Sequence, residues 1–337
     1  MPLAIVRKIT TFHCDGLLYI HVLIPFYKLY CQMKKVIIAV GVLLIVTIPA
    51  SYLFVSNKLK VGADAFASLN IKAIEREMLD TSTWKKWWPG DRLFTYKGAQ
   101  FLFEKPLPGT TKFAMIYNKD TLPGLLLFTD NKDGRSYILW RCELTTGNNP
   151  ITKWIKYVKA RKIKSLLTEL TNTLSGHLTE KNIYGFTPVK SKVKDSILLT
   201  TKTIFDHYPT LQELKQLELK LFGYLAKQKV TPKSKPMLSV IKDGNEQYFT
   251  MMGVATDVFI PSTLGFEPKL VLKNGNIIEA EYKGGPIATQ NAYAQFETYK
   301  NDMLFSAPAI SYQLLVTDRS TEPDTSKWIT RFYYPVF

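Results

Sequence analysis

The longest run of apolar residues lies near the N-terminus, at 36–55 (VIIAVGVLLIVTIPASYLFV). Its uncharged length matches the ~20 residues that a helix needs to cross the ~30 Å hydrocarbon core of a bilayer. Pro49 would break a soluble helix, but membrane helices tolerate proline. The pattern predicts a single-pass transmembrane anchor. The preceding residues 1–32 are predicted to be a non-native or unstructured extension, because MKK at 33–35 is a typical start of an anchor or signal segment.

Two interpretations of this segment remain open on the sequence alone. Its apolar core is long for a signal peptide, which favours an uncleaved anchor, whereas ADA at 63–65 offers a distant cleavage site. More basic residues precede the span than follow it: Arg7, Lys8, Lys28, Lys34 and Lys35 against Lys58 and Lys60. The positive-inside rule then favours a cytoplasmic N-terminus and a body on the extracytoplasmic side.

The region 58–183 begins with short elements and ends with a long helix. Loose alternation predicts a strand over 60–70, and apolar residues at helical spacing predict a helix over 71–80. Strand-like patterns follow at 99–104, 111–117, 122–128 and 136–144. An apolar stripe of leucines and Ile163, extending to Leu178, predicts the closing helix.

A tryptophan cluster ending in a Pro-Gly turn, TSTWKKWWPG at 81–90, follows the first helix of this region. The motif and the element order together resemble the SRPBCC or polyketide-cyclase-like family, which has the START-like helix-grip fold. The resemblance implies a curved sheet around the long helix, an apolar cavity between them, and no universal catalytic set. Trp84, Trp87 and Trp88 then line the mouth of a second cavity or pack in the core, and both interpretations remain open.

The region 186–337 repeats one pattern twice. Its first half is predicted as a strand, a helix and two strands at 195–205, 209–229, 236–242 and 248–259. Its second half is predicted in the same order at 277–283, 288–303, 309–317 and 328–334. Two β-α-β-β repeats imply a domain with pseudo-two-fold symmetry and a groove between its halves. The whole chain is therefore predicted to be α+β, with two domains behind the membrane helix.

Three motifs within this second region occur in the order of a known family. They are EYKGGP at 281–286, AYAQF at 292–296 and ITRFYYPV at 329–336. They resemble the GyrI-like, or AraC effector-binding, family, which implies a small-molecule-binding groove. Members usually carry a glutamate in the last strand that recognises cations or assists hydrolysis, and this chain has Arg331 there. A guanidinium suits an anionic or carbonyl-bearing ligand, although a surface ion pair would explain it equally well.

Family position and residue type together predict the walls of the groove, because small-molecule pockets combine aromatic side chains with few polar groups. The predicted ligand-binding residues are Tyr282, Tyr293, Phe296, Trp328, Arg331 and Phe332. No catalytic residue is assigned.

A basic run beside two aromatic residues precedes most of the apolar stripe of the first region, and the sequence leaves open whether it forms a helix or a turn. Its members are Lys153, Lys156, Lys159, Arg161, Lys162 and Lys164, beside Trp154 and Tyr157. Contact with anionic lipid headgroups near the anchor is one interpretation. A solvated helix face is the other, and the sequence leaves both open.

The formal net charge of +16 raises the question of nucleic acid as a partner. Much of the charge flanks the predicted anchor, and the sequence shows no helix-turn-helix or zinc-finger pattern, so nucleic acid is not expected. Cys142 is alone in the main body, and the four histidines lack metal-binding spacing. No phosphate loop, dinucleotide fingerprint or nucleophile elbow occurs. The sequence therefore predicts no metal site and no cofactor.

The leading hypothesis is a membrane-anchored protein that binds a small apolar or amphipathic molecule. The alternative is a cavity enzyme, a hydrolase or cyclase that uses the GyrI-like or START-like pocket. Arg331 in place of the usual glutamate weighs against the known hydrolytic route. A third hypothesis is a structural envelope protein without a functional pocket.

Overall fold

A computed structural model of the chain describes residues 32–50, 56–131, 134–244, 246–307 and 309–336. Within these residues the architecture is mixed α+β, with six α-helices and two β-sheets. Nearly all of the predicted extension 1–32, and the last five residues of the predicted anchor, lie outside the described residues.

Two compact units make up the chain. One holds the described residues up to Val61 together with Cys142–Leu166, and the other holds Gly62–Arg141 and the chain from Leu167 onward. The first unit contains helix α1 (Gln32–Ala50), none of whose apolar window is buried. Among the described residues, α1 is the one helix long and apolar enough to cross a membrane, and a signal sequence near the N-terminus can meet the same criteria of length and composition.

The first sheet has six strands in the order β1-β6-β5-β4-β3-β2. Its strands are β1 (Lys58–Ala67), β2 (Thr95–Tyr96), β3 (Ala99–Phe103), β4 (Thr110–Tyr117), β5 (Asp120–Asp130) and β6 (Ser136–Thr145). Neighbours from β2 to β5 pair antiparallel. The predicted strands of this region coincide with β1 and with β3 to β6 to within a few residues, whereas the two-residue β2 was not predicted.

Three helices accompany this sheet in sequence: α2 (Ile71–Leu79), α3 (Pro150–His177) and α4 (Glu180–Tyr184). The side chain of Asn70 caps α2 by accepting a hydrogen bond from the amide of Lys72 at 2.8 Å. Helix α3 begins at Pro150, well before the predicted apolar stripe, so the basic run lies inside the helix. A proline at the first helical position is favourable because its missing N–H has no partner there anyway.

The tryptophan cluster lies in the core beside the first sheet. Trp84, Trp87 and Trp88 are each at most 7% exposed. Trp84 and Trp88 pack edge-on against phenylalanines, and the Trp84 and Phe103 ring centroids are 4.8 Å apart. Trp87 packs against the other two tryptophans. The Trp84 indole donates a hydrogen bond to the carbonyl of Met78 at 3.1 Å. The described contacts therefore favour the core-packing interpretation of these residues, and their role at a cavity mouth stays a prediction.

The second sheet has eight strands in the order β11-β8-β10-β9-β13-β14-β12-β7. Its strands are β7 (Val189–Lys192), β8 (Ile197–Phe205), β9 (Met237–Lys242), β10 (Tyr248–Ala255), β11 (Glu267–Leu270), β12 (Asn276–Lys283), β13 (Tyr312–Leu315) and β14 (Ile329–Pro335). Counted outward from the central β9–β13 pair, equivalent strands of the two repeats occur in the same order. One short strand, β11 or β7, is added at each edge, and neither was predicted.

Helices α5 (Leu211–Lys227) and α6 (Pro286–Asp302) each follow the first strand of a repeat. Helix α5 was predicted to start at Pro209, one residue before the observed N-cap, Thr210. The helix begins after Thr210 because Thr210 and Glu213 form a capping box. Four leucines of α5 are buried against one face of the sheet: Leu214, Leu217, Leu221 and Leu225. Helix α6 packs in the same way against β12 and β14.

A carboxylate on α6 joins it to α2 and α4. Asp302 accepts a hydrogen bond from the Tyr184 hydroxyl at 2.7 Å. It also forms an ion pair with Arg76 at 2.9 Å. Burial raises the pKa of Tyr184, and the hydrogen bond to Asp302 raises it further. The three helices are thus connected by one charged network.

Gly124 in β5 makes room for an aromatic ring. A methyl group on Gly124 would lie 2.2 Å from the Phe113 ring, which other rings hold in place, with the Trp140 centroid 5.2 Å away. We expect Gly124→Ala to destabilise the protein by about 1–3 kcal/mol through overpacking. The matched control is Gly223→Ala in α5, where the added methyl meets open space. The control should stabilise by about 0.5–1 kcal/mol.

Denaturant unfolding of the full chain in detergent, followed by circular dichroism, measures both changes. Equal effects of the two substitutions would contradict the packing of Phe113 over Gly124.

Candidate functional site

The two faces of the eight-stranded sheet carry different side chains, because successive residues of a strand point to opposite sides. Leu199, Leu238 and Met252 belong to the core beneath α5. Their neighbours Leu198, Met237 and Met251 line a cavity on the opposite face. This cavity therefore lies on the face of the sheet opposite to the one that α5 covers, which we call the open face.

An apolar groove of about 330 Å³ lies on this open face. We define it by its lining side chains: Leu198, Thr200, Met237, Ser239, Met251, Lys269, Leu270, Val271, Leu272, Ile310, Tyr312 and Pro335. Gly253 contributes backbone to the wall, and a methyl group there would lie 3.0 Å from Thr200. The wall is thus mostly hydrocarbon, with three hydroxyl groups and one lysine.

A charged groove of about 300 Å³ adjoins it and shares Leu198, Met237, Val271 and Tyr312 with it. Its ionisable lining consists of Lys192, Lys194, Lys233, Lys235 and Arg331 as cations, and Asp195 and Glu279 as carboxylates, beside Tyr312 and Tyr333. Some of the cations are already engaged, since Lys233 pairs with Asp257 and Arg331 with Glu281. The cations of the lining nevertheless outnumber the carboxylates, so the groove favours a ligand group with a full or partial negative charge.

Two stacked tyrosines line the charged groove, and one of them, Tyr312, also lines the apolar groove. The Tyr312 and Tyr333 centroids are 5.0 Å apart with an interplanar angle of 19°. Burial raises the pKa of Tyr312, and the adjacent Tyr333, Asp195 and Glu279 raise it further. Both hydroxyls are therefore neutral at physiological pH, and can donate a hydrogen bond to a ligand as well as accept one.

Arg331 projects onto the open face and lines the charged groove. Its Nε donates a hydrogen bond to Glu281 Oε2 at 2.8 Å, and this contact raises the pKa of the guanidinium. Both side chains are about half exposed. The ion pair expected as one explanation for Arg331 is present, and a pair this exposed contributes little to stability.

The other predicted wall residues lie away from the open face. Phe296 and Phe332 are at most 1% exposed, with their ring centroids 5.8 Å apart in the interface between α6 and the sheet. Tyr293 joins them, and its hydroxyl donates a hydrogen bond to Ser311 at 2.6 Å. Tyr282 stacks on Phe332 from the same side. Because Arg331 and Phe332 are consecutive in β14, they point to opposite faces of the sheet.

Trp328 is 3% exposed and lies at a third location, on the helix side of the sheet. Its indole donates a hydrogen bond to the carbonyl of Glu322 at 2.9 Å. Of the six predicted ligand-binding residues, Arg331 alone lines the grooves of the open face described here. A binding role for the other five stays a prediction.

The residues that line the grooves were missed although the sequence contains a signal for them. Once Phe332 is assigned to the core, alternation places Arg331 and Tyr333 on the other face. The same rule applied to β8, β9 and β10 selects Leu198, Met237 and Met251. Residues 269–272 and 309–310 lie in irregular or edge segments, where no periodicity identifies them.

The described residues contain no group of three or more His, Cys, Asp or Glu side chains that could hold a metal ion. Burial raises the pKa of the Cys142 thiol to about 12, so it is protonated at neutral pH. A protonated, buried thiol is a poor nucleophile.

No sequence-family profile matches the chain, and no curated protein matches it either. Several solved structures resemble parts of it. The EcmrR C-terminal domain is 14% identical over 45% of this chain and 98% of its own, with a TM-score of 0.39. A hydrolase from Listeria innocua is 12% identical over 45% of this chain and 92% of its own, with a TM-score of 0.34.

The Zhui aromatase/cyclase from a Streptomyces species is also similar to part of the chain. It is 9% identical over 37% of this chain and 95% of its own, with a TM-score of 0.27. Similarity at these levels concerns the arrangement of helices and strands and says nothing about activity.

The opposite orientations of Phe332 and Tyr333 predict different costs of truncation. We expect Phe332→Ala to lower the free energy of unfolding by about 3–5 kcal/mol, because it leaves a cavity beneath α6. Tyr333→Ala, which removes a half-buried side chain from the open face, should cost about 1 kcal/mol. Denaturant unfolding of both variants measures the difference, and similar costs would contradict the assignment of the two faces.

Proposed function

We propose that the chain is a membrane-tethered binding protein for a small molecule with an apolar body and an anionic or carbonyl-bearing end. The observation that carries this proposal is the continuity of the apolar groove with the charged groove. Shared walls allow one molecule to place its body against Met237 and Met251 and its polar end near Arg331 and Tyr333.

The energetics of such a ligand follow from the lining. Removing its apolar body from water is favourable by about 25 cal/mol per Å² of buried surface. A carboxylate or carbonyl at the other end would accept hydrogen bonds from the Arg331 guanidinium and the Tyr333 hydroxyl. Cations of the charged groove would oppose a positively charged ligand, so an anion or a neutral carbonyl compound is the preferred class.

The architecture supports two domain assignments as part of the proposal. Residues 58–183 would form a START-like helix-grip domain, since a six-stranded sheet precedes the long helix α3. Residues 186–337 would form a GyrI-like domain with pseudo-two-fold symmetry, since the strand order of its sheet is the same when counted from either repeat. In this scheme the role of four predicted wall residues is indirect: they hold β14 in place, and β14 presents Arg331. These residues are Tyr282, Tyr293, Phe296 and Phe332.

Membrane tethering is supported by α1 and, independently, by α3. The first half of α3 exposes four large apolar side chains at helical spacing: Ile151, Trp154, Ile155 and Val158. Arg161 and Lys162 are exposed at the end of this stripe. An exposed apolar stripe beside cations is typical of helices that lie at a membrane surface. We therefore favour lipid contact over simple solvation for this part of the basic run, with the body on the extracytoplasmic side.

The groove is tested with naphthalene-1-carboxylate, a fluorescent probe with an aromatic body and one carboxylate. Met237→Arg should weaken its binding at least tenfold, because a charge would occupy the shared wall. Ile241→Arg is the matched control: it introduces the same charge on the same face of the same strand, at a residue that is 45% exposed and outside both grooves. Titration of the full chain in nanodiscs is the measurement. Probe binding that is equal in both variants would overturn the assignment of the grooves.

The lipid contact of α3 is tested through tryptophan fluorescence. Trp154 is 40% exposed, whereas the other five tryptophans are at most 7% exposed. In vesicles of phosphatidylcholine and phosphatidylglycerol, brominated lipids should quench part of the emission, and Trp154→Phe should remove the quenched part. Trp87→Phe serves as the control and should leave it. Quenching that persists in Trp154→Phe would show that this stripe does not reach the bilayer.

A further inference from the structure

A half-buried guanidinium lies on the helix side of the eight-stranded sheet, away from the grooves of the open face. Arg319 follows β13, and its guanidinium lies 5.0 Å from the centroid of the Trp328 ring. Its Nη2 donates a hydrogen bond to the Thr330 hydroxyl at 3.2 Å. Within the described part of the chain it makes no ion pair. Burial lowers the pKa of Arg319, although Tyr208 and Glu218 act in the opposite direction.

Two adjoining cavities meet at this side chain and share Glu218, Leu315 and Arg319. The first, of about 510 Å³, lies between α5 and the segment 232–236. The second, of about 320 Å³, lies between α5 and the segment 319–328. We call the two together the Arg319 cleft.

The charges of the cleft define what it can hold. The first cavity is lined by three cations, Lys233, Lys235 and Arg319, and by the two carboxylates of Glu218 and Asp318. The excess is one positive charge, and it stays so when the ion-pair partners outside this lining are included, Asp257 for Lys233 and Lys215 for Glu218. The second cavity has two cations and two carboxylates, so it is balanced: Lys215, Arg319, Glu218 and Glu322. This distribution favours a ligand with one negative charge, because the carboxylates would repel a polyanion.

The wall of the second cavity is suited to hydrocarbon. Its apolar members come from α5, β10, the end of β13 and the segment before β14: Leu211, Leu214, Met252, Leu315, Pro323 and Trp328. A ligand with its apolar chain in this cavity could place a charged end group beside the Arg319 guanidinium.

We propose that the Arg319 cleft binds an amphipathic monocarboxylate, a medium-chain fatty acid or a compound of that class. The planar guanidinium offers two parallel N–H groups that match a carboxylate. Such a partner offsets the cost of withdrawing a cation from water, which Thr330 and the Trp328 ring offset only in part. The cleft shares Lys233, Ser234 and Lys235 with the charged groove, but Arg319 and the apolar wall of the second cavity line neither groove, so the cleft constitutes a second binding site.

Hexanoate and the neutral hexan-1-ol are the probes, applied to the full chain in detergent at equal ionic strength. Hexanoate should raise the midpoint of thermal unfolding in a concentration-dependent way, and hexan-1-ol should do so at least tenfold less effectively. Arg319→Gln should abolish the hexanoate shift. Arg92→Gln is the matched control, since it removes the same charge from an exposed residue that lines neither the cleft nor the two grooves, and it should retain the shift.

The other outcomes are equally informative. Equal shifts from hexanoate and hexan-1-ol in the wild-type protein would overturn the proposal without reference to any variant. A shift lost in Arg331→Gln and kept in Arg319→Gln would place hexanoate in the charged groove, which supports the proposed function and removes this inference. If Arg319→Gln fails to fold, Lys215→Gln is the second variant, because Lys215 lines the second cavity and neither groove, and its removal leaves that cavity with one excess negative charge. It should weaken the hexanoate shift severalfold, and an unchanged shift would count against the cleft.

Discussion

The burial of one face of the eight-stranded sheet beneath α5 and α6 is the constraint on which the rest of the second region depends. Because successive side chains of a strand point to opposite sides, a residue in this core does not reach the open face. The next residue along the strand points to the open face. Leu199 beside Leu198 and Met252 beside Met251 show the pattern on two strands. Each strand thus stabilises the fold with one set of side chains and offers the other set to a ligand.

This division explains which parts of the fold the sequence predicts. The apolar stripe of α5 and the alternation of β8 and β12 are strong signals, and their elements were predicted close to their observed bounds. The short strands β7 and β11 pair only with one neighbour each, so few of their side chains are buried and no periodic pattern identifies them. Helix α3 begins earlier than predicted. The prediction relied on the buried apolar stripe, and most large apolar residues in the first half of the helix are exposed.

The site was harder to predict than the fold. Position within a motif identified Arg331, but residue type alone favoured aromatics, and aromatics are also the largest contributors to a core. Phe296 and Phe332 provide burial for α6, as their near-zero exposure shows. Recognising Tyr312, Tyr333 and Met237 required the register of the strands. Arg319 was not identified either, because its environment is assembled from three segments that are distant in sequence.

The segment 232–236 belongs to two cavities at once. Lys233, Ser234 and Lys235 line both the charged groove and the Arg319 cleft, and prolines at 232 and 236 restrict the backbone at either end. An occupant on one side that displaces this segment must alter the shape offered to an occupant on the other. Thermodynamic linkage requires such an influence to be mutual, so the two compounds would help or hinder each other by the same factor. If both proposed sites bind their ligands, segment 232–236 would couple the two binding equilibria across the sheet.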